Sequence, residues 1–538
     1  MAPSVSLTLC VFLVLAHGCL GFSGFQPFQS FGPWSAGSGW QGQQRHRPLR
    51  SMSECKLDSF DALEPKTPIR AEGGTIEYWN NDDQQFQCAG INAVRHVIEP
   101  KGLLLPSFSN SPQLSYIVEG RGVIGAVFPG CPESFQSGSS QGSSQRGEHG
   151  RESQRGEHGR ESQWGEHGRR ESQRGRGQHQ TGKINDQHQK IRNFRQGDII
   201  ALPAGVAHWI YNDGQTPIVA VTIFDTSNDA NQLDQSIRKF FLAGSSQTQQ
   251  GQGRKEMRGR QEGTRGQQIK GQGQGEQSQN WQSIFSGFDE ELLADVFNVN
   301  QDLIRSIQGQ NEQRGSIILV QEPLEFLTPT REEEERSQGS SHEHGRWVDV
   351  NMGLGETFCN VRLIQNIGDP IQADLFNPRG GRITTLNSQK LPILNFLQLS
   401  AERGVLYKNA LLAPKYEMNS HSIIYITRGS SRIQMVNERG QNVFDGKVQE
   451  GQLLIVPQNY VILKQAGNEG CEWVAFKTID NAMVSPLSGR VSVFRGLPEE
   501  VLMNSYGISR EDAKSLKFNR EEMLVFGPGS RQGREFEE

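Results

Sequence analysis

The stretch Gly197-(five residues)-Pro203-Ala204-Gly205-(two)-His208-(three)-Asn212 is where residue types and spacing together suggest chemistry. Gly and Pro at fixed offsets predict strand, turn, strand, which would carry the His208 imidazole into a sheet. An imidazole there can ligate a metal or move a proton, and with further imidazoles and a carboxylate it would suit Fe, Mn or a similar metal. Other catalytic patterns are absent: there is no Gly-x-Ser-x-Gly, Walker loop, His-Glu-x-x-His or paired Cys-x-x-Cys. Cys471 lies between Gly470 and a strand starting at Trp473 with no local base, so a buried or partly buried free thiol is expected. His149, His158 and His167 recur in a near-repeat at Ser144–Glu152, Ser153–Glu161 and Ser162–Glu171. These copies have no apolar face to stack, and they are expected to be disordered and solvated, at most weak metal binders.

His208 must be positioned by a chain of 538 residues with net charge −5, 34 % apolar residues, 61 glycines and about 50 glutamines. The mean hydropathy of −0.59 implies ordinary cores diluted by unstructured polar tracts. The near-neutral balance argues against a strong nucleic-acid binder, and after the first twenty residues no apolar run is long enough to span a membrane. Met1–Gly21, with the apolar run Val5–Ala16 and small residues at Ala16, Gly18 and Gly21, predicts a secretory signal peptide cut between Gly21 and Phe22. The cysteines left are Cys55, Cys88, Cys131, Cys359 and Cys471, an odd number on an oxidising route.

Short β-branched runs bounded by Gly, Pro, Asn or Asp predict strands at Leu114–Val118, Ile199–Pro203, Ile218–Phe224, Ile393–Leu399, Ile423–Thr427, Leu453–Val456 and Trp473–Lys477. Asp289–Ile307 and Pro498–Leu516 carry helical spacing. The unit occurs twice. Gly197–Pro203 matches Gly451–Pro457, Tyr116–Gly120 matches Tyr425–Gly429, and Glu290–Ile307 matches Glu499–Leu516. The fold class expected is mainly β: two tandem jelly-roll barrels, each followed by a short α-helical arm, with long disordered insertions.

The His208 motif resembles the second sequence motif of the cupin barrel at every defined position, which implies three more ligands in a first motif. Anchoring on Gly120 puts Pro106 and Phe108 at the histidine positions and Gln113 at the glutamate position; anchoring on Gly102 gives Phe108 and Asn110. In the second half the corresponding residues are Lys415, Glu417 and Ser422, with Ile462 in place of His208. One imidazole without charged partners does not hold a catalytic metal, so neither metal, cofactor nor catalytic residue is expected. The barrels read as scaffold.

Both globular halves resemble the legumin-type (11S) seed storage globulins, which are plant bicupins. The resemblance rests on Cys55–Pro65, Gly102–Pro106, Gly130–Phe135, Ile284–Phe288, Arg314–Ser316, Tyr407–Ala410, Ser422–Tyr425 and Leu516–Asn519. It implies a precursor made at the endoplasmic reticulum, assembled as a trimer and sorted to protein storage vacuoles. There an asparaginyl endopeptidase cuts each subunit into disulfide-linked acidic and basic chains, and trimers pair into hexamers. Many members are seed allergens. The resemblance also implies disulfides Cys55–Cys88 and Cys131–Cys359, leaving Cys471 free.

The family's cleavage pattern, Asn-Gly-(Leu/Ile)-Glu-Glu-(Thr/Asn)-Phe-Cys, is altered before Cys359. Met352 stands where Asn is expected, and Asn351 lies one position earlier. A cut between Asn351 and Met352 is expected, after an exposed acidic approach at Arg331–Gly345. Residues 352–538 carry 21 basic and 20 acidic side chains, leaving about −6 on the remainder. The organisation expected is a signal peptide (1–21), a disordered segment (22–50), a first barrel with its arm (51–310, disordered at 136–189 and 244–282), a linker (311–351), a second barrel with its arm (352–526) and a tail (527–538). Function is then nitrogen and carbon storage, in tracts of Gln and Arg that need no core. The alternative is a metal-dependent or small-ligand-binding cupin working around His208. Each arm's apolar face, Leu292, Leu293, Val296 and Phe297 in one and Val501, Leu502 and Tyr506 in the other, is expected to pack on another subunit, closing a ring of three.

Overall fold

The computed structural model describes residues 55, 57–66, 68–131, 135–136, 187–245, 281–309, 312–324, 359 and 361–528. The predicted signal segment with its cut between Gly21 and Phe22, the polar segment 22–50, the tracts 137–186 and 246–280, the linker 325–350, the cut at Asn351–Met352 and the tail 529–538 lie outside them.

Alternating apolar runs and tight Gly, Pro and Asn turns produce two antiparallel barrels. One sheet of the first barrel runs Ile69–Ala71, Gly74–Tyr78, Ile91–Ile98, Ile218–Asp225, Gln113–Glu119, Asp198–Leu202, Ile364–Asn366. The sheet facing it runs Lys239–Phe241, Gly102–Ser109, Ala207–Tyr211, Arg121–Val127, Ile191–Arg195. In the second barrel the long strands Ser422–Val436 and Val461–Lys477 pair with each other and slip register at Ile426/Arg428 and Gly429/Ser431. Such irregularities bend a strand, and here they let the two long strands run through the single ten-stranded sheet of the second barrel.

Residues Gln113 to Ile117 are buried on both faces of their strand. The reason lies in the register. Gln113, Phe224 and Asn92 are mutual partners, as are Ser115, Thr222 and Val94, and Ile117, Ala220 and His96. Partners share a face, and this face lines the first barrel. The opposite face, with Ala93, Tyr116, Val221 and Ile223, packs against Ala401, Ile423, Tyr425, Val474 and Phe476 of the second barrel in one continuous core. The interior of the second barrel is a separate core around Ile424, Ile426, Leu454 and Trp473.

Segments are exchanged between the halves. Phe60 sits in the second barrel's own core, its N–H donating to the Val443 carbonyl at 2.9 Å, and Leu63 bridges to Leu453. Reciprocally, Ile364–Asn366 from the second half pairs with Asp198–Ile200 of the first barrel.

One expectation about an element is corrected, and the helical arms gain a detail. Ile393–Leu399 is not a strand: Ile393–Leu397 is a short helix, closed by Gln398 in the left-handed conformation at φ 58°. Its buried residues Ile393, Leu394 and Leu397, with Leu391 just before it, recur at helical spacing, and an apolar run this short does not separate helix from strand by composition. The two helical segments are each a pair of helices. Glu290–Phe297 and Gln301–Ile307 are divided at Asn298 (φ 52°), and Glu499–Tyr506 and Arg510–Phe518 at Gly507 (φ 64°). Side-chain caps from Asp289, Asn300 and Ser509 start three of the four.

Candidate functional site

The fixed residues of the His208 motif mostly build turns. Gly197 and Gly205 adopt φ 86° and 77°, which an L side chain resists. Asn212 clamps its loop, donating to the Ile98 and Thr216 carbonyls at 2.8 and 2.9 Å and accepting from the Gly214 N–H at 2.9 Å. His208 lies on Ala207–Tyr211, held between Gly102–Ser109 and Arg121–Val127. Its Nε2 is 3.2 Å from the Gln113 amide nitrogen, and its Nδ1 is 3.3 Å from the Val206 carbonyl oxygen. The tautomer these contacts select donates from Nδ1 and accepts at Nε2. Burial pulls the imidazole down to about 4, so it is neutral at ordinary pH.

The ligand positions need a correction of one residue. His208 is the direct partner of Ser107, so Ser107 and, two residues on, Ser109 share its face. Both are buried. Pro106 and Phe108, read from sequence as the ligand positions, point to the other face, where Phe108 stacks on Phe240 at 4.9 Å. A slip of one residue along a strand exchanges its faces. Asn110 is spent on the loop beyond, donating to Asn231 and accepting from the Arg238 N–H. The groups beside His208 are therefore two hydroxyls, an amide and the buried, neutral His96 imidazole, with no carboxylate among them. A cupin metal needs imidazoles and a carboxylate, and these residues do not fit one. Among the described residues no group of three His, Cys, Asp or Glu is placed to hold a metal.

The second barrel solves the same position differently. Lys415 pairs directly with Ile462, as Ser107 does with His208. Lys415 Nζ lies 3.0 Å from Glu402 and 3.4 Å from Glu417, while Lys477 bonds Glu417 and donates to Ser422 Oγ at 2.9 Å. Burial opposes the Lys415 charge, but the two carboxylates lift it to about 12. Burial likewise opposes ionisation of Glu402, and Lys415, Lys477 and Lys464 hold it well below the carboxylate range. Lys464 lies over the Trp473 ring at 4.1 Å, and burial pulls it down to about 7. Sequence reading missed Glu402, Lys464 and Lys477; the available signal was a charged residue repeated within otherwise apolar strands. The cluster is buried, so no reacting atom is exposed, and Glu417 Oε2 is left in it without a hydrogen-bond partner among the described residues.

Cys55 is bonded to Cys88 and Cys131 to Cys359, while Cys471 is a buried free thiol that burial pushes up to about 11. A groove of about 760 Å³ lies between the barrels, lined by Tyr116, Arg121, Arg195, Asn366 and Arg403 among others. Its Arg403 is committed to the Tyr116 hydroxyl at 2.9 Å and to Glu472. On the arms Leu293 and Leu502 turn inward, whereas Leu292, Val296, Phe297, Val501 and Tyr506 remain exposed in the single chain.

Comparison with known proteins points the same way. The cupin family model matches residues 60–248 and 365–514. An 11S globulin of Juglans nigra is 46 % identical over 547 residues, covering 97 % of this chain and 95 % of that one. The crystal structure of the coconut allergen cocosin superposes with a TM-score of 0.68 at 42 % identity, covering 88 % of this chain and all of that one. Recombinant pro-11S globulin of pumpkin superposes with a TM-score of 0.67 at 41 % identity, again over 88 % of this chain and all of that one.

Proposed function

The chain belongs to the legumin-type 11S globulins of the cupin family, and on that premise we propose how its precursor is processed and assembled. It is a seed storage protein, a reservoir of nitrogen and carbon, and not an enzyme. The family's members assemble as oligomers.

The signal peptide is removed between Gly21 and Phe22, and the precursor travels through the endoplasmic reticulum to the protein storage vacuole. There an asparaginyl endopeptidase cuts between Asn351 and Met352. The observation that carries this reading is the Cys131–Cys359 bond. It joins the segment before the linker to the segment just after the cut, so the acidic and basic chains stay linked. The exposed faces of the two arms, Leu292 and Val296 in one and Val501 and Tyr506 in the other, pack on neighbouring subunits in a trimer. The acidic linker keeps two trimers apart until it is cut.

The test is the full-length precursor, run on gels and sedimented before and after treatment with the endopeptidase. The expected result is one band without reductant and two with it, and a trimer that becomes a hexamer on cleavage. Asn351→Gln should leave the chain uncut and trimeric. A precursor already hexameric, or cleavage that survives Asn351→Gln, would overturn the reading.

A further inference from the structure

The two barrels are copies, and their registers allow a residue-by-residue comparison of their interiors. Ser107 faces His208 as Lys415 faces Ile462, so Ser109 occupies the place of Glu417. Val94 partners Thr222 two positions from the Gln113–Phe224 pair, as Glu402 partners Ala475 two positions from Ser422–Lys477, so Val94 stands for Glu402. Both carboxylates that balance the lysines of the second barrel are therefore missing from the first.

The first barrel nevertheless holds a lysine there. Lys239 is the direct partner of Ser109, where the second barrel has Val484 opposite Glu417. Its Nζ lies 3.3 Å from His96 Nε2 and 5.3 Å from the Phe224 ring centre, and it makes no ion pair among the described residues. The charged or titratable groups that bear on His96 are Lys239 and His208, and burial favours the neutral form of both imidazoles. Two residues beyond Ser109, the Ser111 hydroxyl is buried without a hydrogen-bond partner. Lys239 is half-buried as a residue, and burial pulls its ammonium down to about 8, which leaves it charged at neutral pH.

We propose that the first barrel binds a small monocarboxylate, which takes the place beside Lys239 that the Glu417 side chain fills in the second barrel. The size follows from the substitution. A serine in place of a glutamate puts its hydroxyl where the γ-methylene was and leaves out the carboxylate, which is the head group of a small ligand such as acetate. The sign follows from the lining: a lysine and two neutral imidazoles attract an anion and repel a metal cation. Gln113 and Ser109 supply further hydrogen-bonding groups, and Phe224 and Val94 supply an apolar wall.

Equilibrium dialysis of the full-length precursor against radiolabelled acetate tests this. One saturable site per subunit is expected. Lys239→Met should weaken it at least tenfold. Ser109→Glu, which supplies the carboxylate covalently, should abolish it while the chain still sediments as wild type. If Ser109→Glu fails to fold, Lys239→Met decides alone. No saturable acetate binding at 10 mM ligand, or binding unchanged in Lys239→Met, would overturn the proposal.

Discussion

Ser107, Ser109 and Gln113 stand where a cupin metal would need ligands, and their neutrality fixes what His208 does. The imidazole accepts the Gln113 amide at 3.2 Å, so His208→Ala leaves a buried donor unmade. The expected cost is about 1–3 kcal/mol, read from chemical denaturation, with no change in metal content by elemental analysis. Burial lowers His208 to about 4 from 6.5. Between those values the unfolded chain binds a proton that the folded chain refuses, so this residue's contribution to stability is lost as pH falls from about 6.5 to 4. His208→Gln keeps a polar group without a titrating one, and its denaturation midpoint should fall less steeply over that window. A midpoint whose acid limb is as steep as wild type would assign the limb elsewhere. In the second barrel Glu417 carries two ammonium groups. Glu417→Gln leaves Lys477 buried without its counter-ion and should cost about 3–5 kcal/mol, several times the loss at an exposed pair such as Arg432–Asp445.

Among the elements, the segment before the first barrel is the one whose role is least local. Phe60 is 3 % exposed, edge-on to Tyr460 at 5.9 Å, inside the barrel formed by the other half of the chain. Phe60→Ala should cost about 3–5 kcal/mol, measured as a lower denaturant midpoint, although sequence position would assign it to the first barrel. This is where legibility ends. Leu453–Val456 was readable to the residue, because four β-branched or leucine positions between Gly451 and Pro457 leave a strand as the simple solution. The duplication was readable through Tyr116 and Tyr425, which prove to hold equivalent places. Ile364–Asn366 is three residues long, and nothing within three residues specifies a partner more than 160 positions away. The strand Gly102–Ser109 was legible as a strand but not in phase. With hydroxyls where the motif expects imidazoles, its chemistry gave no anchor, and only pairing with His208 sets which face Ser107 occupies. The helix at Ile393–Leu397 was misread because four apolar residues in a run of five satisfy both periods.

For the whole molecule, the exchanges decide what the Cys131–Cys359 bond contributes once the linker is cut. Without that bond the two chains would still share a core running from Ala93, Tyr116 and Val221 to Ile423, Tyr425 and Phe476. Two hydrogen bonds cross it reciprocally, Arg403 to the Tyr116 hydroxyl at 2.9 Å and Arg95 to that of Tyr425 at 3.4 Å. Phe60 lies in one barrel and Ile364–Asn366 extends the sheet of the other. Separating the chains therefore means unfolding both barrels, not parting two finished surfaces. Reductant added to the cleaved protein under native conditions should leave its sedimentation unchanged, although gels in detergent resolve two chains. The difference appears only on unfolding. With the bond intact, each cut subunit unfolds as one covalent molecule; with it reduced, unfolding releases two chains, and the denaturation midpoint should fall further on dilution than before reduction. Native separation of acidic from basic chains by reductant alone would mean that the disulfide, and not the exchanged strands and shared core, holds the cut subunit together.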